Sequence, residues 1–149
     1  MQGGAMLLEA LIAILIFSMG ILALVGLQAV SIKNTAEAKY RADAAFLANQ
    51  IIGQMWSDNT TNLAGYAHNP TTGGTPCTFS GGASTNTKVT DWLGASGTAG
   101  TVIDSLPGAS SALTQISIGA DNLVTVTLCW RKPGEPTEHR HQLVAQING

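Results

Sequence analysis

Charged side chains are scarce, 11% of 149 residues, and none at all occurs in residues 10–32. The formal charge is −2. Lys33, Lys39 and Arg41 are interleaved with Glu37 and Asp43, while Arg131, Lys132 and Arg140 are offset by Glu135 and Glu138. Non-specific nucleic-acid affinity needs clustered cations that displace phosphate counterions, so no nucleic-acid partner is expected. Cysteine is nearly absent too. Cys77 and Cys129 lie in no CxxC or metal-ligand spacing, which leaves a structural disulfide or two buried thiols. The Gly/Thr/Pro-rich surroundings of Cys77 look too polar to bury a thiol and favour the disulfide. In an oxidising compartment a bridge closing such a loop contributes on the order of 4 kcal/mol.

Catalytic signatures are also missing. No Ser or Cys sits in a nucleophile elbow or beside a spaced His/Asp set, and no glycine-rich phosphate loop follows a strand. Gly73-Gly74 and Gly81-Gly82 fall in a low-complexity stretch. His139 and His141 alternate onto one face of a strand, but two histidines without a third ligand make a poor metal site and read as exposed edge residues. No enzymatic activity, cofactor or metal is expected. Trp56, Trp92 and Trp130 read as core or rim residues.

What is present is apolar surface, 45% of the chain, crowded toward one end. Residues 6–27 form an apolar run interrupted only by Glu9, Ser18, Gly20 and Gly26. Roughly 20 apolar residues rising 1.5 Å each match the ~30 Å hydrocarbon layer, which predicts a membrane-spanning helix. A secretory signal peptide fits less well, because the run is long, no basic residue precedes it, and no A-x-A-like site closes it before Lys33. Tyr40, Ala44, Leu47, Ile51 and Met55 then recur at spacings of three or four, and Lys33, Glu37 and Arg41 run along another face. One helix from about Met6 to about Trp56, apolar first and amphipathic second, is predicted.

Residues 57–86 are rich in Asn, Thr, Gly and Ser and read as a long loop. Residues 89–106 predict short helical turns stopped by Leu106-Pro107-Gly108. Residues 113–118, 123–131 and 138–147 read as an antiparallel meander separated by turn-forming stretches. In the middle strand Val124, Val126, Leu128 and Trp130 share a face and are expected to cover the helix stripe, with Thr125, Thr127 and Cys129 opposite. Together these predict an α+β subunit, a lollipop of one long helix on a small antiparallel sheet.

Glu9 is the informative residue. A carboxylate near the start of a membrane helix costs several kcal/mol unless it meets a cation or a polar cavity. At the headgroup level the positive end of the helix dipole would also favour it. Gly4, followed by Ala5-Met6-Leu7-Leu8-Glu9 and the apolar run, resembles the prepilin processing motif of type IV pilins. The resemblance implies cleavage between Gly4 and Ala5 by a prepilin peptidase, an N-methylated Ala5, and Glu9 as fifth residue of the mature chain. Glu9 would then meet the terminal amine of a neighbouring subunit during assembly. The run from Leu8-Glu9-Ala10-Leu11-Ile12 through Gly26-Leu27-Gln28 is similar to PilV-type minor pilins in particular.

Three departures stand out. Met1-Gln2-Gly3-Gly4 has no basic residue, Ala5 replaces the more usual Phe or Met, and Gly26 stands where many relatives carry a helix-breaking proline. The implied organisation is a leader at 1–4, a transmembrane and filament-core helix at 5–32, an amphipathic half at 33–57 and a globular domain at 58–149. The implied partners are major and minor pilins, the prepilin peptidase, the inner-membrane assembly platform and the membrane itself. The implied location is the bacterial inner membrane with a periplasmic domain, then the pilus. Two other readings share these features: a minor pseudopilin of a type II secretion system, and a membrane-anchored adhesin or binding module.

Overall fold

The computed structural model describes residues 3–148. Met1 and Gln2 of the expected leader lie outside the described residues. The chain divides into two compact units at Lys39 and Tyr40. The helix α1, Gly3–Ser57, is continuous over 55 residues and supplies nearly all of the first unit and the opening segment of the second.

In the second unit α1 packs through the stripe that its periodicity announces. Ala44, Leu47, Ala48, Ile51 and Met55 are each no more than 1% exposed, and Tyr40 borders them. They meet a three-stranded antiparallel sheet in the order β3 (Thr114–Ile118), β4 (Leu123–Trp130), β5 (His139–Gln146). The register Val124↔Ala145, Val126↔Leu143 and Leu128↔His141 carries the apolar face of β4. Val124, Val126, Leu128 and Trp130 are all buried there. The β3–β4 turn needs left-handed backbone at Asp121 and Asn122, φ 55° and 56°, which short polar side chains tolerate better than most.

Two short helices close the core. Asn86 caps α2 (Thr87–Leu93), its side chain accepting from the Lys88 amide at 2.9 Å, and Gly94 ends it at φ +64°. Val89, Trp92 and Leu93 face inward, and the Trp92 indole N–H donates to the Leu47 carbonyl of α1 at 2.9 Å. Helix α3 (Val102–Ser105) adds Val102, and Leu106 follows it into the core.

The expected long loop at 57–86 is more ordered than its composition suggests. A 3-10 segment at Thr60–Tyr66 is capped by Asn59, and a small hairpin pairs β1 (Thr71–Thr72) with β2 (Phe79–Ser80). Side-chain caps and partners distant in sequence supply this order, so no local periodicity betrays it. The face of β4 opposite α1 is likewise covered: Thr127 is 2% exposed and Cys129 fully buried.

Candidate functional site

Every residue from 4 to 35 is exposed within the chain. Met6, Leu7, Phe17, Leu22 and Ile32 each keep about 70% of their surface open, so the apolar half of α1 is hydrophobic all round and packs on nothing of its own. A helix of that kind needs an apolar surrounding supplied from outside. By length and composition α1 can cross a membrane. Within it Ser18 Oγ donates to the Ile14 carbonyl at 2.7 Å and Thr35 Oγ1 to the Ser31 carbonyl at 2.9 Å, so these hydroxyls bond the helix itself.

Gly4 and Ala5 stand in the opening turn of α1. Glu9 follows Ala5 by four residues, hence on the same face. It is exposed and is the only ionisable side chain in residues 3–32. A Cβ added at Gly20 or Gly26 would meet nothing within 4 Å, so no packing within this chain calls for glycine at either position.

At the far end of α1 lies a polar cluster that sequence reasoning missed. Asp58 accepts from Lys88 Nζ at 2.7 Å, from the Tyr66 hydroxyl at 2.8 Å, from Asn62 at 3.2 Å and from the Asn59 amide at 2.8 Å. The Lys88 ammonium first, then the Tyr66 and Asn62 donors, hold the Asp58 carboxyl well below the usual carboxylate range. Burial, helped by Asp58, pushes the Tyr66 phenol up, and Asp58 raises Lys88. The cluster joins the end of α1 to the start of α2, partners 30 residues apart that no local pattern reveals.

His68, also missed, is 1% exposed. Its Nδ1 accepts from the Ser84 amide at 3.1 Å, so the neutral ring carries its proton on Nε2, which donates to the Ser111 carbonyl at 3.0 Å. Asn69 adds bonds to the Ser111 and Thr114 carbonyls at 2.8 and 3.2 Å. This knot fastens the chain on either side of the β1–β2 hairpin to the sheet.

Cys77 and Cys129 are joined, S–S 2.07 Å with Cα atoms 6.0 Å apart. The bridge lies on the face of the sheet away from α1. Cys77 is 7% exposed and Cys129 fully buried, so the polar loop does bury this residue, at its bond to β4.

His139 and His141 differ from the exposed residues expected of an edge. His139 stacks on Trp130, ring centroids 5.7 Å apart, and bonds Glu135 Oε2 through Nε2 at 3.1 Å. Both are half-buried. Glu135 also faces Lys132 at 3.3 Å, and these partners, His139 foremost, draw its carboxyl below its ordinary value. Arg131 pairs with Glu138 at 2.6 Å. An open cleft of about 580 Å³ beside this turn is lined by Pro107, Leu113, Pro133 and Pro136 among others. Among the described residues no group of three or more His, Cys, Asp or Glu is placed to hold a metal ion. Trp92 and Trp130 are core residues, and Trp56 is 52% exposed.

No protein-family model matches the chain, and neither does any curated protein or solved structure.

Proposed function

We propose that the chain is a filament subunit of the type IV pilin kind, a PilV-like minor pilin that acts by assembly and carries out no catalysis. One observation carries this reading: the apolar half of α1 buries nothing within the chain, yet holds a single carboxylate at the fifth position after Gly4. Seventeen large apolar side chains between Met6 and Ile32 are exposed, and each gains roughly 1.5–3 kcal/mol on full burial. That sum drives the helix first into a bilayer and then among the helices of neighbouring subunits. Glu9 opposes both transfers unless a cation meets it. Peptidase cleavage after Gly4 creates one, the Ala5 amine, which a neighbouring pilin presents to Glu9. The same cut removes residues 1–4.

In this reading the prepilin rests in the bacterial inner membrane with its disulfide-bonded domain in the periplasm, where oxidation is permitted. It then joins major and minor pilins through the inner-membrane assembly platform and enters the pilus. Gly20 and Gly26, unexplained by packing inside the chain, either let neighbouring helices approach closely or weaken the helix by about 1 kcal/mol each.

The test is the intact mass and amino-terminal sequence of the protein isolated from membranes with and without a prepilin peptidase. A mature chain starting at Ala5, N-methylated, is expected. An uncut chain, or one cut near Lys33, would leave Glu9 without its role and overturn the reading. A deletion strain with a secretion defect and normal pili would move the subunit to a secretion pseudopilus.

A further inference from the structure

The sheet carries two layers held by different forces. Between α1 and the sheet lies the apolar core, built from Leu47, Ile51, Val126, Leu128 and their neighbours, and neither cysteine belongs to it. Over the opposite face lies the β1–β2 hairpin. From residue 71 to 83 only Cys77 is buried and only Phe79 half-buried, and every other residue is exposed. The hairpin therefore brings almost no apolar area to hold itself down. Its strands are two residues long each, paired Thr71↔Ser80 and Thr72↔Phe79. The Gly73 amide bonds the Thr78 carbonyl at 2.6 Å, which closes the hairpin on itself and ties it to nothing else. Across to the sheet it has the Gln115 side chain, donating to Thr72 Oγ1 at 3.1 Å, and the Cys77–Cys129 bridge, and β2 also lies beside the 3-10 turn Ser111–Leu113.

The flanks are fastened separately. His68 and Asn69 on one side and Ser84 on the other belong to the polar knot with Ser111 and Thr114, and Ser84 Oγ also donates to the Gly65 carbonyl at 2.7 Å. This knot contains no sulfur and none of its bonds passes through the bridge. The Asn69 amide also donates to the Gly82 carbonyl at 3.0 Å, so the segment that depends on the disulfide runs from Thr71 to Gly81.

We propose that the Cys77–Cys129 disulfide is a redox latch: oxidised, it holds this hairpin over the outer face of the sheet, and reduced, it lets the hairpin detach while the core under α1 stays folded. In the reducing direction an added dithiol gives up two electrons and two protons. The S–S bond breaks, Cys77 and Cys129 become thiols, and the dithiol closes into its own disulfide. Detachment uncovers Thr127 and Cys129, buried in the latched state, and turns a fixed hydroxyl-rich surface into a mobile loop. The proposal does not rest on the filament reading.

Hydrogen exchange followed by mass spectrometry on the full chain in detergent micelles tests it, comparing the oxidised protein, the protein reduced with dithiothreitol, and the Cys77→Ala/Cys129→Ala variant. The variant is needed because the bridge is shielded and a reductant reaches it slowly. Tethering a flexible loop of about fifteen residues corresponds to roughly a hundredfold in local opening. Amides of residues 71–81 should therefore exchange roughly a hundredfold faster in the variant, with β4 and the His68 and Asn69 amides, bonded to Ile116 and Gly82, unchanged. Unaltered exchange at 71–81 would overturn the proposal by showing that the remaining contacts suffice. Loss of protection across β3 and β4 would overturn it differently, by showing that the bridge holds the sheet itself.

Discussion

Ile51 and Phe46 stand five residues apart on α1 with opposite surroundings: Ile51 is 0% exposed against the sheet, Phe46 66% exposed on the other side of the helix. Ile51→Ala removes three carbons from a closed site. At about 0.8 kcal/mol for each buried methylene the transfer loss is about 2.4 kcal/mol. The cavity adds more, because α1 is held on both sides of Ile51 by Leu47 and Met55 and cannot settle into the gap. A loss of about 3–4 kcal/mol is expected, a large share of the roughly 5–15 kcal/mol that holds a domain of this size. Phe46→Ala leaves no cavity and should stay within about 0.5 kcal/mol of the parent. Urea unfolding of the full chain in detergent, read by fluorescence of the buried Trp92 and Trp130, measures both. With a slope of about 1–3 kcal/mol per molar urea, Ile51→Ala should lower the midpoint by more than 1 M. Equal shifts for the two variants, or a shift below about 0.3 M for Ile51→Ala, would refute the assignment of the helix faces.

Asp58 makes the domain acid-sensitive. Its folded pKa is depressed, so its stabilising contribution is present above the unfolded value near 4 and is lost as pH falls below that toward the folded value. Asp58→Asn should flatten the stability profile between about pH 5 and pH 2, and an unchanged acid limb would contradict the Lys88–Tyr66 cluster. Gly94 sits at φ +64°, ψ −161°, a region closed to other residues, with Thr101 against the position a Cβ would take. Gly94→Ala should cost at least ~2 kcal/mol by thermal unfolding, whereas Gly74→Ala, in open space, should be near neutral. Trp92→Phe removes the indole bond to the Leu47 carbonyl and should cost about 1–3 kcal/mol, read in the same urea titration. On the proposed pilin reading, Glu9→Gln should leave peptidase processing intact while cutting recovery in sheared pili by about tenfold or more, the cost of losing one charge pair of ~1.4 kcal/mol or more. Normal recovery would separate filament entry from the carboxylate.

Much of the fold was legible in the chain itself, for a physical reason. Helix and strand announce themselves by periods of 3.6 and 2, which the second half of α1 and β4 carry, while the first half of α1 shows itself by the length of its uncharged apolar run. The stripe from Tyr40 to Met55 and the set Val124, Val126, Leu128, Trp130 needed no tertiary information to be paired. The number and surroundings of the two cysteines favoured a bridge over two buried thiols, and the structure joins them. Glu9 stood out because a charge in an apolar run is expensive wherever the chain goes.

The tertiary structure alone decided what joins residues distant in sequence. Asp58 meets Lys88, His68 meets Ser84 and Ser111, and Gln115 reaches back to Thr72. A hydrogen bond needs only a donor and an acceptor brought within about 3 Å, and it leaves no period along the chain for a reader to find. The same holds for Cys77, buried where it bonds Cys129 although its neighbours in the chain are polar. Local pattern fixes which faces are apolar; only the fold determines which polar groups those faces bring together.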